Sequence, residues 1–327
     1  MKKPINKLNE KFIELEKKLL KSQRVLLVVH FNPDTDAFSS AFSLDYYLRN
    51  ELKKETTILS VDPIDKLSAK LFPKKQVRNT YKLANYNTVM ILDREDSYYK
   101  LKIDEEIIAK NLKIEIINID HHPKPPIKEA LNLVNIDASA TCEIIYNFFK
   151  QINYQLSPKP AQYLLNGIFT DTGGFRHNNT SAETLEIVSD LMKKGASIRK
   201  INQLVFENKS LNTLKLWSIA FSRAELREKT GMVVSFLTKE DLDKCDASKS
   251  DASGIAEVLN TISGSKFSLV LYESKPNVIK ASLRSDEHKG IDVSAIAKGF
   301  GGGGHKLASG FELHGNLKEI NKKWVIE

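Results

Sequence analysis

Ile116-Ile117-Asn118-Ile119-Asp120-His121-His122-Pro123 is an apolar, β-branched run that ends in one acid and two imidazoles, and a proline then stops regular structure. The stretch reads as a strand that delivers Asp-His-His to its C-terminal tip. Standing alone it also suits buried histidines beside a capping aspartate. Two other runs repeat the pattern. Val25-Leu26-Leu27-Val28-Val29 suits a strand buried on both faces and continues into His30-Phe31-Asn32-Pro33-Asp34-Thr35-Asp36. Thr88-Val89-Met90-Ile91-Leu92 ends in Asp93.

Helical patterns separate these strands. Ala37, Phe38, Ala41, Phe42 and Leu48 share one side of a helix, with Asp36 expected near its N-cap. Residues 139–150 and 158–169 also read as helices, and the second runs into Thr170-Asp171-Thr172-Gly173-Gly174-Phe175, a turn where backbone approaches something closely. Strands alternating with helices predict a βαβ architecture. In open α/β sheets the site lies beyond the carboxyl ends of the strands, so the tips at His30, Asp93 and Asp120 are expected to converge.

The remaining pattern fills in the domains. Ile5, Leu8, Phe12, Leu15 and Leu19 predict an amphipathic helix over residues 5–20 that packs against the first domain. Thr180-Ser181-Ala182-Glu183 reads as a capping box opening a helix that Gly195 closes. Residues 196–230 read as a basic helical connector. Residues 232–237, 267–272 and 278–283 read as strands of a second domain, with a short helix near residues 293–298. The expected fold is α/β. An N-terminal domain (residues 1–195) has a mostly parallel sheet flanked by helices. A smaller C-terminal α/β domain (residues 231–327) follows the connector.

With 327 residues, 41% hydrophobic and 28% charged, the chain has ample core for two soluble domains. A net charge of +8 favours anionic partners. Only two cysteines are present, Cys142 and Cys245, in no C-x-x-C pattern, which points to neither a disulfide framework nor a thiolate zinc site. Both are expected to be buried in a reducing compartment. No signal-peptide core or membrane-length apolar window occurs, so the expected location is the cytoplasm, with no membrane partner.

Four carboxylates, Asp34, Asp36, Asp93 and Asp171, and at least two imidazoles among His30, His121 and His122 suit Mn²⁺, Fe²⁺ or Co²⁺ more than Ca²⁺ or a thiolate-bound zinc. The number of donors also fits two ions, which a bridging carboxylate would hold ~3.5–4 Å apart, as in two-metal phosphoester hydrolysis. Bridging hydroxide would then attack, consistent with the lack of a Ser or Cys nucleophile motif. Gly301-Gly302-Gly303-Gly304-His305 reads as an anion-binding nest or as a flexible loop. Arg284, in Ser282-Leu283-Arg284-Ser285, could hold a phosphate bidentately or stay solvated. Arg176 and His177 could reach substrate. His288 and His314 read as surface, and Trp217 and Trp324 as core anchors.

In this order the motifs resemble those of the DHH–DHHA1 phosphoesterase family over residues 22–315. The segment from His30 to Asp36 resembles the family's first motif, Asp93 its second, Asp120-His121-His122 its third, Asp171-Thr172-Gly173 its fourth, and Gly301-Gly302-Gly303-Gly304-His305 the DHHA1 glycine signature. Chain length, the lack of added modules and Ser282-Leu283-Arg284-Ser285 resemble the NrnA type, small oligoribonucleases (nanoRNases) that also remove phosphate from phosphoadenosine phosphate. The resemblance implies two Mn²⁺ ions, with Mg²⁺ or Co²⁺ as alternatives. It places His30, Asp34 and Asp93 on one ion and Asp36, Asp93, His121 and Asp171 on the other. His122 would face the scissile phosphate, with Asp120 orienting an imidazole from behind. Arg284 and residues 301–305 would hold the substrate's other phosphate, with the active site in a cleft between the domains. The implied partners are short single-stranded RNA and nucleotide phosphates, and a homodimer is compatible with this reading. The implied reaction hydrolyses short oligoribonucleotides to nucleoside monophosphates and 3′-phosphoadenosine 5′-phosphate to AMP. Cyclic or linear dinucleotides are the alternative substrates, and a non-catalytic nucleotide-binding protein is the alternative outside enzymology. Two features depart from the pattern. Thr35 stands where the family has glycine, and Arg94-Glu95 makes the segment after Asp93 unusually charged.

Overall fold

The computed structural model describes residues 5–64, 67–94, 101–205, 209–320 and 323–327. The chain divides into two compact units, Met1–Glu207 and Asn208–Glu327.

The first unit is built on six parallel strands: β1 (Arg24–Val28), β2 (Glu55–Leu59), β3 (Val77–Arg78), β4 (Thr88–Leu92), β5 (Glu115–Asp120) and β6 (Leu131–Val134), in the order β3-β2-β1-β4-β5-β6. Its helices are α1 (Ile5–Lys21), α2 (Thr35–Asn50), α3 (Ser68–Leu71), α4 (Ile103–Ala109), α5 (Thr141–Gln151), α6 (Pro158–Asp171), α7 (Ala182–Lys193) and α8 (Ile198–Val205). The continuous apolar run of β1 follows from burial on both faces. Val25 and Leu27 enter a large core with α1, α2, α5 and α6, while Leu26 and Val28 enter a smaller one with Val89, Ile91 and Ile103. Phe12, Leu15 and Leu19 of α1 lie in the larger core.

This strand order reverses direction between β1 and β4, and such a switch point opens a crevice at the carboxyl ends of the two strands. Register then aligns the tips. Val28 pairs with Ile91, and Ile91 with Asn118. Two residues further on, His30, Asp93 and Asp120 stand side by side.

The second unit contains α9 (Leu211–Ser222), α10 (Lys239–Lys244), α11 (Ile255–Leu259) and α12 (Val293–Gly299). Its mixed sheet comprises β7 (Glu225–Arg227), β8 (Met232–Leu237), β9 (Phe267–Lys275), β10 (Val278–Ser285), β11 (Gly303–His305) and β12 (Ala308–His314), in the order β11-β12-β10-β9-β8-β7. Only β8 and β9 run parallel among these pairs. A separate hairpin joins β13 (Leu317–Ile320) and β14 (Lys323–Ile326). Helices α9 to α11 cover one face, and α12 covers the other with Val293 and Ala297 against Ala281, Leu283 and Phe311. The segment read as a connector therefore contributes to both units, since Ile201 of α8 is buried in the first while Leu216 and Ala220 of α9 are buried in the core of the second. Trp217 packs on that core and donates its indole N–H to Asp251 O at 2.7 Å, and Trp324 lies over Phe236. No described helix is long and apolar enough to cross a membrane.

Two local expectations shift. The N-cap of α2 is Asp34, whose side chain accepts from Ala37 N, and Asp36 lies inside the first turn. The capping box of α7 uses Ser181 and Thr184 rather than Thr180 and Glu183, because the helix starts one residue later than the spacing implies.

Candidate active site

The four tips of the first unit gather one set of side chains. His30 follows β1 and is buried, with Nδ1 2.8 Å from its neighbour's carbonyl, Phe31 O. That contact turns Nε2 toward two carboxylates, Asp34 Oδ1 at 3.8 Å and Asp93 Oδ2 at 3.6 Å. Asp93 follows β4 in left-handed backbone, φ 53°, which an aspartate tolerates better than most residues. Its other oxygen, Oδ1, lies 3.5 Å from His121 Nε2 and 3.5 Å from His122 Nδ1. His121 Nε2 is also 3.5 Å from Asp171 Oδ2, at the last residue of α6.

Three donor groups result, each with its ligand atoms mutually within 4.8 Å: His30, Asp34 and Asp93; Asp93, His121 and His122; and Asp36, His121 and Asp171. Asp93 belongs to the first two and His121 to the last two. The Asp-His-His triplet divides its work. Asp120, fully buried, accepts from both the backbone N–H and the Nδ1 of His122, at 3.1 and 2.9 Å. His121 instead directs Nδ1 toward Ala138 O at 3.3 Å.

Supporting contacts arrive from sequence-distant elements. Helix α5 begins at Ala140, which has no capping side chain, and Asp36 takes that place by accepting from Thr141 N at 2.7 Å and Cys142 N at 3.2 Å. The Thr141 hydroxyl donates to Asp93 Oδ1 at 3.0 Å. Gly167 in α6 gives Asp36 its room, for a Cβ there would collide with Asp36 Oδ1 and Cys142 Sγ. After Asp171, Gly173 and Gly174 adopt φ of 58° and 70°, and the His177 ring covers Gly173 where a side chain would stand. Sequence reading passed over Thr141, Ala138 and Gly167. A glycine inside a helix is a signal of close packing that could have drawn attention to Gly167.

Thr35 sits in ordinary helical backbone. The left-handed position of the first motif falls on Asn32, φ 50°, which asparagine accommodates. Arg94 is buried and donates to Pro125 O at 2.7 Å, while Glu95 lies outside the described residues.

The charges are mismatched for a protein alone. Burial, and then the charge of Asp93, push the Asp36 carboxyl up to about 7. Burial and the neighbouring Asp36, Asp34 and Asp93 hold Asp171 well above the usual carboxylate range. Burial would lower His30, but Asp34 and Asp93 outweigh it and raise the imidazole to about 11. Burial would likewise raise Asp93, but His30, His121 and His122 draw it down to about 2. Crowded carboxylates that retain protons against their nature, beside oriented imidazoles, are a donor set that divalent cations satisfy. The residues present therefore fit a metal centre.

In the second unit, Arg284 on β10 donates from Nε to Glu257 Oε1 at 2.7 Å and from Nη1 to Leu283 O at 2.8 Å. The glycine run follows the C-terminus of α12. Gly301 N and Gly302 N bond to Lys298 O and Ala297 O and so close that helix. Gly303 and Gly304 then enter the edge strand β11, where a Cβ on Gly302 or Gly304 would collide with β12 backbone, while Gly301 and Gly303 face open space. His305 ends β11, and its side chain lies outside the described set. Arg176 and His177 are exposed, as are His288 and His314.

Comparison with known proteins matches residues 24–168 to the DHH family, N-terminal domain, and residues 229–324 to the DHHA1 domain. The chain is 30% identical over 294 residues to the bifunctional oligoribonuclease and PAP phosphatase NrnA of Bacillus subtilis, covering 89% of each. It is 27% identical over 297 residues to the Thermus thermophilus protein of the same name, covering 89% of this chain and 84% of that one. Among solved structures, an exopolyphosphatase-related protein from Bacteroides fragilis superposes with a TM-score of 0.81 at 26% identity, covering 94% of this chain and 92% of that one. The chain belongs to the DHH–DHHA1 phosphoesterase family.

Proposed function

We propose that this protein is a two-metal hydrolase that cleaves short oligoribonucleotides to nucleoside monophosphates and converts 3′-phosphoadenosine 5′-phosphate to AMP. The observation that carries the reading is the split of Asp93, one oxygen toward His30 and the other toward His121 and His122. In this reading His30, Asp34 and Asp93 hold one divalent cation, and Asp36, Asp93, His121 and Asp171 hold the other. Mn²⁺ suits a mixed carboxylate–imidazole set without thiolate. Such a pair, when bound, acidifies water and neutralises phosphate charge.

The chain's own residues supply the rest. Asp120 accepts from His122 Nδ1, which orients the ring and leaves Nε2 free to take up or give a proton. His122 is raised above its ordinary value: burial opposes the shift, but Asp120 and Asp93 outweigh it. A proton held at Nε2 would be donated to a phosphate oxygen and balance charge as the ester bond breaks. The second unit takes the substrate's other phosphate through Arg284 and the segment at residues 301–305. Holding that end would favour short substrates over long or structured RNA. The names of the Bacillus and Thermus relatives support the choice of substrates, as does the chain's net charge of +8.

The test offers purified protein with Mn²⁺ a dinucleotide, a longer single strand, phosphoadenosine phosphate and a cyclic dinucleotide. Release of nucleoside monophosphate and AMP is expected. Turnover of the cyclic dinucleotide alone would reassign the substrate, and no turnover with two metals bound would overturn the enzymatic reading.

A further inference from the structure

The carboxylate of Asp93 can serve two sides only if its plane is fixed, and rotation about the Cβ–Cγ bond would turn both oxygens away from their imidazoles. Its backbone sits in the left-handed region, which sets the direction of the side chain but not the rotation of the carboxylate. One hydroxyl supplies the remaining constraint. Thr141 Oγ1 donates to Asp93 Oδ1 at 3.0 Å, since an ionised carboxylate can only accept. The same residue donates its backbone N–H to Asp36 Oδ2 at 2.7 Å, across 105 residues of sequence. Thr141 is fully buried at the first position of α5, an 11-residue helix, so it has little freedom to follow either carboxylate if they move.

We infer that Thr141 is a positioning residue that ties Asp36 and Asp93 together and sets the Asp93 plane so that one oxygen serves each side of the site. The inference rests on the two-metal reading above. Its chemistry divides cleanly between atoms. Within Thr141, the backbone N–H holds Asp36 whatever the side chain, while the hydroxyl is the group that reaches Asp93. Loss of the hydroxyl should leave individual donor groups intact and weaken the shared occupancy that depends on Asp93 alignment.

The experiment compares the full chain with Thr141→Val and Thr141→Ser. Thr141→Val keeps the branched shape and the backbone donor but deletes the hydroxyl, and Thr141→Ser keeps the hydroxyl. Mn²⁺ binding is followed by calorimetry and by electron paramagnetic resonance, which separates a spin-coupled pair from isolated ions, with circular dichroism reporting the fold. Thr141→Val is expected to lose affinity for the second ion about 10–100-fold, the usual effect of removing a group that orients a ligand. Its coupled signal should give way to isolated Mn²⁺, and Thr141→Ser should retain the pair. Two ions bound by Thr141→Val with unchanged affinity and coupling would overturn the role of the hydroxyl. So would loss of the pair in a folded Thr141→Ser, a result that does not depend on Thr141→Val folding. A native chain that never takes up a pair of ions would instead refute the two-metal reading, and this inference with it.

Discussion

The strand tips of the first unit and the glycine segment of the second were both marked by sequence for phosphate chemistry, yet they are built in opposite ways. At the tips the chain concentrates charge in a buried place. Asp36, Asp93 and Asp120 are almost wholly inaccessible, and although Asp36 caps α5, crowding these acids together is costly unless a cation joins them. Around residues 301–304 part of the motif serves the fold itself. Gly301 and Gly302 end a helix, and Gly302 and Gly304 let two strands approach. Buried acids converging from four segments have few structural explanations, whereas a glycine run has several.

Substitutions can break this contrast or sharpen it. The largest effect is expected from Asp93→Ala, which should abolish turnover of every substrate and remove both metals, as read by activity and metal content. Near-normal turnover would erase the distinction between the two regions. Gly167→Ala comes next. Its Cβ would collide with Asp36 and Cys142, so overpacking should lower stability by about 1–3 kcal/mol in thermal melts and weaken Mn²⁺ binding as well. Arg284→Ala should raise KM about tenfold or more, the value of one charge-assisted hydrogen bond, with Mn²⁺ binding unchanged. Loss of metal in that variant would contradict the division of roles. Within the glycine run, Gly302→Ala should cost about 1–3 kcal/mol because its Cβ would meet Gly310 O and Phe311. Gly303→Ala faces open space and should stay within about 0.5 kcal/mol.

The pH dependence is the mildest test. The Asp36 carboxyl, raised to about 7, and the His30 imidazole, raised to about 11, both bind protons that a cation must displace. Proton competition therefore weakens Mn²⁺ affinity as pH falls, most steeply where Asp36 takes up its proton. Calorimetry in buffers of different ionisation enthalpy should show affinity rising from about pH 6 to about pH 8, with protons released on binding. A flat profile would mean that these two groups carry no proton for the metal to replace.

Strands β1, β4 and β5 were legible because burial on both faces demands unbroken apolar runs. Strand β2 was not, since its Glu-Thr-Thr start carries no such run, and β3 and β6 are short edge strands of mixed polarity. The residues that gather at the tips were legible together rather than singly, because one Asp or His at a strand end also suits a helix cap or a core contact. Their supports were not. Thr141 and Gly167 matter through tertiary neighbours far along the chain, such as Asp36, 105 residues before Thr141, and no local pattern records that. The cap of α2 was misplaced for a smaller reason, as two carboxylates two residues apart compete for one position and only backbone geometry assigns it to Asp34.

The most direct measurement of the central claim is an anomalous-difference map from crystals grown with Mn²⁺. The account predicts two peaks flanking the Asp93 carboxylate, about 3.5–4 Å apart, one against His30 and Asp34 and the other against Asp36, His121 and Asp171. A single peak, or two peaks that do not share Asp93, would contradict it.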